Sequence, residues 1–388
     1  MSSPAAYLRK KIALNREWYS LRSILGYWYM IFFFLLGGRE AGKSYAVTKE
    51  FVRQFVLYGR IFYWIRLSET SAQKLLVNNA EKLIDPDIRR EFGLDLATRG
   101  DAVYCVLKRD DKGKIKEKKL MCRVICLATF YNDKGSGFFD KDFLDDPNMY
   151  YNICLDEMNR EKNEKKSFDI VYSFTNQLEN LIRSTKRRIR VICIGNTLEE
   201  ASDILCAFNF LPETFGRFKL VRNKKKLIEY LTRYDAAKTP EERAALDEEY
   251  RYIDFGKRAI IEYIEPSDKY KTRRKGTIAD ILMPTASTFT NEIKVDDSLV
   301  TKQRLIKPSM VIKFSKEMSF TVWDGNVIAE YNNEKAPVVA MRPYIDSLFN
   351  AQMRDSVITM FDTRCYKYRN LITFKRFQKE LELLKPRK

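Results

Sequence analysis

The apolar run Ile31-Phe32-Phe33-Phe34-Leu35-Leu36 passes directly into Gly37-Gly38-Arg39-Glu40-Ala41-Gly42-Lys43-Ser44, and no other junction constrains the fold of this chain as tightly. Six consecutive apolar residues with no alternation describe a strand buried on both faces, as in a parallel sheet. The next eight residues satisfy GxxxxGK[ST], and residues 43–58 carry apolar side chains at helical spacing. Strand, glycine loop and helix together are the context of a P-loop. Its glycines let successive backbone N–H groups curl around phosphate oxygens at a helix N-terminus. Lys43 is then placed to reach the β- and γ-phosphates, and the Ser44 hydroxyl to ligate magnesium. The expected nucleotide-binding set is Gly37, Gly38, Arg39, Glu40, Ala41, Gly42, Lys43, Ser44 and Tyr45, with ATP and Mg2+ as ligands.

The rest of the machinery must be built without histidine, because the 388 residues contain none. That excludes Ser-His-Asp and Cys-His nucleophiles, a histidine base, and His-ligated zinc or iron. Any chemistry is left to carboxylates, Lys, Arg, hydroxyls, amides or a bound metal. The strand-like run Tyr151-Asn152-Ile153-Cys154-Leu155 ends in Asp156 and Glu157, which suits Asp156 to the magnesium shell and Glu157 to polarising the attacking water. A third apolar run, Val191-Ile192-Cys193-Ile194-Gly195, ends in Asn196, either a sensor of the γ-phosphate and water or a turn former before the next helix. Just upstream, LIRSTKRRIR gathers five cations. Arg183 is the choice for an arginine finger acting on a neighbouring subunit's ATP; the alternative is a surface or phosphate-binding patch.

A formal charge of +18, divided as 35 basic and 26 acidic residues in each of 1–200 and 201–388, makes both halves basic and points to a polyanion, nucleic acid ahead of a membrane surface. The most apolar stretch, 24–36, is 13 residues against the roughly 20 of a spanning helix, and it lacks a small-residue cleavage site. Neither an anchor nor a signal peptide is expected. Seven cysteines with no CxxC pair read as small buried hydrophobes in a reducing compartment. With 45% apolar residues, global disorder is excluded.

Apolar runs at 31–36, 61–67, 103–107, 120–129, 152–155 and 190–194 alternate with helical patterns at 43–58, 71–84, 168–183 and 199–208, the signature of a mostly parallel α/β sheet. KRDDKGKIKEKK forms a hairpin tip between the third and fourth runs. Residues 210–249 read as a charged helical connector. Alternating runs at 259–264, 309–314, 319–323 and 326–331 suggest a second, smaller sheet, with a turn at Asp324-Gly325, and a basic helical tail closes the chain.

GGREAGKSYA, IFYWIRLSE, NICLDEMNREKN, LIRSTKRRIRVICIGN and the basic second half, in this order, resemble the DNA-packaging motor ATPases of small podophages, short relatives of terminase large subunits. The resemblance covers nearly the whole chain and is loose beyond about residue 250. It implies an α/β, P-loop (ASCE, RecA-like) ATPase domain over 1–209, a small helical linker over 210–250, and an α+β ribonuclease H-like domain over 251–388 that has lost its nuclease. It also implies a homomeric ring, commonly of five subunits, at the portal of an empty capsid in the host cytoplasm, driving double-stranded DNA inward. Lys43, Ser44, Asp156, Glu157 and Asn196 match the family's motifs. Arg183 matches its trans-acting arginine only with one gap, so Arg187 or Arg188 is an alternative, and Lys134 corresponds to a family lysine that acts across the subunit boundary.

Active nuclease chemistry would need convergent carboxylates holding two metals. Asp254, Glu262, Asp324 and Asp346 are the candidates, and no spacing unites them. A vestigial domain contacting DNA, portal or a packaging RNA fits the basic composition better. On the hairpin, Lys112, Lys114, Lys116 and Lys118 are candidate DNA contacts by charge, the alternative being a solvated hairpin. The alternatives are a terminase-like protein with a working endonuclease, a RecA-like helicase, and an ATP-gated nucleic-acid-binding assembly protein; Lys43 with Glu157 disfavours the last.

Overall fold

The computed structural model describes residues 19–38, 41–127, 150–159, 169–184, 188–196, 202–212, 214–250, 258–265, 299–331, 335–341 and 348–384. They fall into two compact units, Met1–Thr197 with Pro212–Asn291, and Leu198–Leu211 with Glu292–Lys388.

The first unit is organised around β1 (Phe32–Leu36), whose Phe33, Phe34, Leu35 and Leu36 are each at most 1% exposed. Such a strand needs neighbours on both edges and cover on both faces. It lies parallel to β7 (Arg188–Gly195) on one edge and to β9 (Ala259–Tyr263) on the other. Beyond β7 come β6 (Tyr150–Asp156), β2 (Phe62–Arg66) and β5 (Ile115–Cys126), all parallel. The sheet closes with antiparallel β4 (Ala102–Arg109) and β3 (Leu96–Arg99) at one end and antiparallel β8 (Gly216–Leu220) at the other, giving the order β3-β4-β5-β2-β6-β7-β1-β9-β8.

Among the helices of this unit are α1 (Arg22–Leu25), α2 (Lys43–Tyr58), α3 (Glu69–Ala80), α4 (Pro86–Phe92) and α5 (Ile170–Ser184). Helix α2 starts at Gly42 (φ 82°) and stops at Gly59 (φ 69°), whose N–H caps the Phe55 carbonyl. Its Val47, Phe51 and Phe55 recur every fourth residue and are buried in the core of the sheet with Phe62, Trp64 and Cys154.

The strand at 259–264, expected in the smaller sheet, is β9 and pairs along the whole of β1. Its AIIEY is a near-continuous apolar run, the pattern of a central parallel strand, and only Glu262 in it is not fully buried. The connector helices α7 (Lys224–Ala236) and α8 (Pro240–Glu249) lie between β8 and β9 in sequence and belong to the first unit. Trp28 packs on the Tyr234 ring at 4.4 Å, beside the cluster Leu227, Tyr230, Leu246 and Tyr250. A capping box of Thr239 and Glu242 begins α8.

The helix expected at 199–208 is the short α6 (Asp203–Ala207), and it groups with the second unit. Lys375 pairs with Asp203 at 3.3 Å, Arg376 donates to the Asn209 side chain at 3.1 Å, and Cys206 packs with Leu371. The boundaries expected near 209 and 250 therefore differ from the observed grouping, in which the described residues 214–250 and 258–265 belong to the first unit and 202–211 to the second. The second unit holds β10 (Pro308–Lys313), β11 (Ser319–Trp323), β12 (Val327–Ala329), β13 (Val338–Ala340) and β14 (Lys367–Tyr368) in the order β13-β10-β11-β12-β14. Helices α9 (Leu348–Asp362) and α10 (Leu371–Leu384) complete it. Phe314, Phe320 and Phe377 meet edge to face in its core at 5.2–5.8 Å.

Six cysteines are buried and all seven are free, but Cys365 is exposed, unlike the expectation for the set. No helix among the described residues is long and apolar enough to cross a membrane.

Candidate functional site

The site lies at the carboxyl ends of β1, β6 and β7, where a parallel sheet opens its crevice. Register aligns them: Leu36 faces Gly195, and Ile194 faces Asp156. Gly37 and Asn196 thus leave the sheet one residue beyond the same row, and the N–H of Met158 ties the segment after Glu157 back to the Ile194 carbonyl at 3.0 Å.

The loop from Gly37 has to be tight on its sheet side. A Cβ at Gly37 would stand 3.2 Å from Ile264 Cβ and 3.3 Å from the Ile264 carbonyl oxygen. Lys43 is 5% exposed, and its Nζ donates to the carbonyls of Gly37 at 2.9 Å and Gly38 at 2.6 Å, so the ammonium is held by the two glycines that follow β1. The N–H of Tyr19 donates to Ala41 at 3.0 Å. Ser44 Oγ donates to Asp156 Oδ1 at 3.3 Å, across 112 residues of chain. Tyr45 is half-buried near the Lys49 ammonium. Arg39 and Glu40 lie outside the described residues.

Asp156 is buried, Glu157 exposed and in the left-handed region at φ 57°. A non-glycine residue there is strained and must be held by its surroundings. The Arg66 guanidinium at the end of β2 supplies the hold, bonding Asp156 Oδ2 at 2.9 Å through one nitrogen and Glu157 Oε2 through another. The Glu157 N–H donates to Asp156 Oδ1 at 3.1 Å. Burial raises the Asp156 pKa, and Arg66 opposes that shift without cancelling it. Arg66 itself is desolvated, yet the two carboxylates hold its pKa above the usual value. Asn196, half-buried, follows β7 directly.

Arg66 received no role in the sequence; the visible signal is a cation closing the apolar strand FYWIR. A second unassigned pair lies deeper between α2 and β6. Asn152, Cys154 and Asp156 share one face of β6 by the two-residue period. Asn152 Nδ2 donates to Gln54 Oε1 at 2.9 Å, and Gln54 Nε2 donates to Glu50 at 2.6 Å. Asn152 and Gln54 are 0% and 2% exposed, so α2 is tied to β6 by polar contacts at two levels, Ser44–Asp156 and Gln54–Asn152. Gln54→Leu would strand the Asn152 amide, whose Oδ1 already has no partner, at a cost of about 1–3 kcal/mol. The measurement is a lower urea midpoint at unchanged m, with part of the loss regained in Gln54→Leu/Asn152→Leu.

Among the other candidates, Arg183 is on α5, with its side chain outside the described residues, and Arg188 opens β7 in the same condition. Arg187 and Lys134 lie wholly outside the described residues. The hairpin is formed by β4 and β5, with its turn at 110–114 held by Asp110 Oδ1 accepting from the N–H groups of Lys112 and Lys114. Lys112, Lys114, Lys116 and Lys118 are exposed, and Lys118 Nζ stands 3.9 Å from the Tyr104 ring centre.

The nuclease candidates do not assemble among the described residues. Glu262 is on β9 in the first unit, engaged by Arg217 and the Tyr19 hydroxyl at 2.7 Å each. Asp324 is in the β11–β12 turn of the second unit and accepts from the N–H groups of Ile306 and Lys307. Asp254 and Asp346 are outside the described residues, and among the rest no group of three metal-binding side chains gathers.

The chain is similar to the DNA packaging protein of Bacillus phage phi29, 25% identical over 188 residues, which are 48% of this chain and 49% of that protein. Against the DNA packaging protein of Bacillus phage B103 it is 23% identical over 192 residues, 49% and 51% of the two chains. The chain thus spans about half the length of the curated relatives it matches. Its fold resembles a chain of the bacteriophage Phi-29 viral genome packaging motor assembly at a TM-score of 0.57 and 18% identity, covering 95% of this chain and 100% of that one. It also resembles a chain of the Phi-28 gp11 DNA packaging motor at a TM-score of 0.52 and 13% identity, covering 96% and 99%. The family described as Podovirus DNA encapsidation protein (Gp16) matches residues 15–260, more than half of the chain, and the chain belongs to that family.

Proposed function

We propose that the chain is the ATP-hydrolysing subunit of a viral genome-packaging motor that translocates double-stranded DNA into a procapsid. The observation that carries this reading is the meeting of Ser44 with Asp156 at 3.3 Å beside Lys43, with Glu157 as the next residue. The residues fit nucleotide and metal: a buried lysine ammonium held on the Gly37 and Gly38 carbonyls, a hydroxyl and a buried carboxylate side by side, and a second carboxylate reaching solvent. Lys43 and the loop N–H groups bind the phosphates of ATP. Ser44 and Asp156 would hold Mg2+, which when bound would supply positive charge to the phosphates of the nucleotide. Glu157 orients the attacking water and accepts its proton, exchanging its contact with Arg66 to do so. Asn196, directly after the strand that lies between β1 and β6, senses the γ-phosphate. Arg183, or Arg187 or Arg188 in its place, and Lys134 act on the ATP of the adjacent subunit in a homomeric, five-membered ring.

DNA is gripped by charge, with the hairpin lysines as one contact. The second unit serves as a vestigial ribonuclease H-like domain facing the portal or a packaging RNA, in the host cytoplasm at the procapsid. Relatives named DNA packaging proteins and a fold shared with packaging-motor chains support this assignment. The test is uptake of duplex DNA into empty capsids carrying their portal, read as nuclease-protected DNA. ATP-dependent protection is expected. ATP binding with no turnover, with or without DNA, would overturn the motor and leave the ATP-gated assembly protein.

A further inference from the structure

β8 is one of the two outer strands of the nine-stranded sheet, and it runs through a three-residue turn into α7. Along 217–226 the chain reads RFKLVRNKKK, with six cations and no acid. Arg217, Lys219, Arg222, Lys224, Lys225 and Lys226 are all exposed. Arg217 pairs with Glu262 and Lys226 with Glu229, while Lys219, Arg222, Lys224 and Lys225 make no ion pair among the described residues.

An edge strand carries lysines to discourage pairing with other strands, which accounts for β8 itself. It does not account for the start of α7. Lys224, Lys225 and Lys226 fill the first turn of that helix, which contains no acid, although the positive end of the helix dipole disfavours cations there. Glu229 answers Lys226 from within the helix, but Lys224 and Lys225 have no acid paired with them among the described residues, and a local rule left broken there points to a compensating charge outside the fold. An aromatic joins the cluster: Lys219 Nζ is 4.1 Å and Arg217 Cζ 5.8 Å from the Tyr27 ring centre, and hydrogen bonds from both cations lower the Tyr27 pKa.

We propose that this edge is a contact surface for the phosphate backbone of duplex DNA. Arg217 and Lys219 project on one side of an extended strand about 6.7 Å apart, close to the axial rise of two phosphates on one strand of a duplex. Arg222 and the α7 lysines extend the same charge past the strand. Tyrosine, lysine and arginine side chains together are the usual donors to phosphate oxygens, and they grip without reading sequence. This rests on the DNA-translocating reading for the identity of the polyanion.

The experiment uses the full chain and a fluorescent duplex of about 30 base pairs, without nucleotide, across a salt series. Arg217 is left intact because its partner Glu262 also holds Tyr19, which contacts the glycine loop. Lys219→Ala/Arg222→Ala/Lys225→Ala is expected to weaken binding on the order of 100-fold near 0.1 M salt and to lower the slope of log affinity against log salt by about 3. Lys219→Arg/Lys225→Arg, which keeps the charge, should bind as the native chain does. Native affinity and slope in the alanine variant would overturn the proposal, as would a duplex RNA competitor, or anionic vesicles, displacing the probe better than duplex DNA. Because the assay contains no ATP, its failure leaves the ATPase reading standing, and loss of that reading leaves this binding measurable.

Discussion

Glu157→Gln should retain ATP and turn it over about 1000-fold more slowly, within the range a positioned general base contributes. The glutamine keeps the length of the side chain and an oxygen for Arg66 to bond, but its amide cannot take a proton from water. The exposure of Glu157, 56% for its side chain, decides what else changes. A charge already in solvent costs little to remove, so the melting temperature should hold. Binding of a fluorescent ATP analogue should match the native chain, and DNA uptake should stop. Turnover at the native rate in Glu157→Gln would sink the assignment of the catalytic carboxylate. Loss of nucleotide binding together with turnover would show instead that the residue shapes the loop.

What the sequence makes legible here is what is local. β1, the glycine loop and α2 are contiguous, and their apolar run, glycines and four-residue spacing need no partner to be recognised. Asp156 and Glu157 are readable because they end an apolar strand. The placement of β9 is not: a run such as AIIEY states that a strand is buried on both faces, but not which strand it joins, and parallel pairing with β1 is decided by packing far along the chain. For that reason Glu262 is grouped with Asp324 on sequence grounds, while in the fold it is an ion-paired residue of the first sheet. Arg66 is hidden by the same cause, since its meaning depends on β2 lying beside β6. Gln54 and Asn152 each look like an ordinary polar residue within an amphipathic element, and only their mutual burial gives them a role.

Arg66→Met should destabilise the fold by about 3–5 kcal/mol at neutral pH, since removing one partner of a buried pair leaves the other charge uncompensated. The side chains of Arg66 and Asp156 are 14% and 4% exposed, so water replaces little of the lost contact. The pH dependence identifies the cause. Burial raises the Asp156 pKa above its ordinary value, and Arg66 is the largest influence pulling it down. A carboxyl whose pKa is raised by folding contributes stability that is full below its unfolded pKa and is lost as pH rises through the folded one. Without Arg66 the folded pKa climbs further, the window of loss widens upward, and the deficit grows toward neutrality. Urea midpoints should therefore differ from the native chain more at about pH 7 than at about pH 5. Glu157 also borders Asp156 and raises its pKa, while Ser44 lowers it; both remain in the variant. Magnesium with ATP should raise the variant's midpoint more than the native one, because under the proposed function a cation at Ser44 and Asp156 returns the missing positive charge. An equal deficit at both pH values would trace the loss to packing of the arginine stem and remove the buried carboxylate as its source.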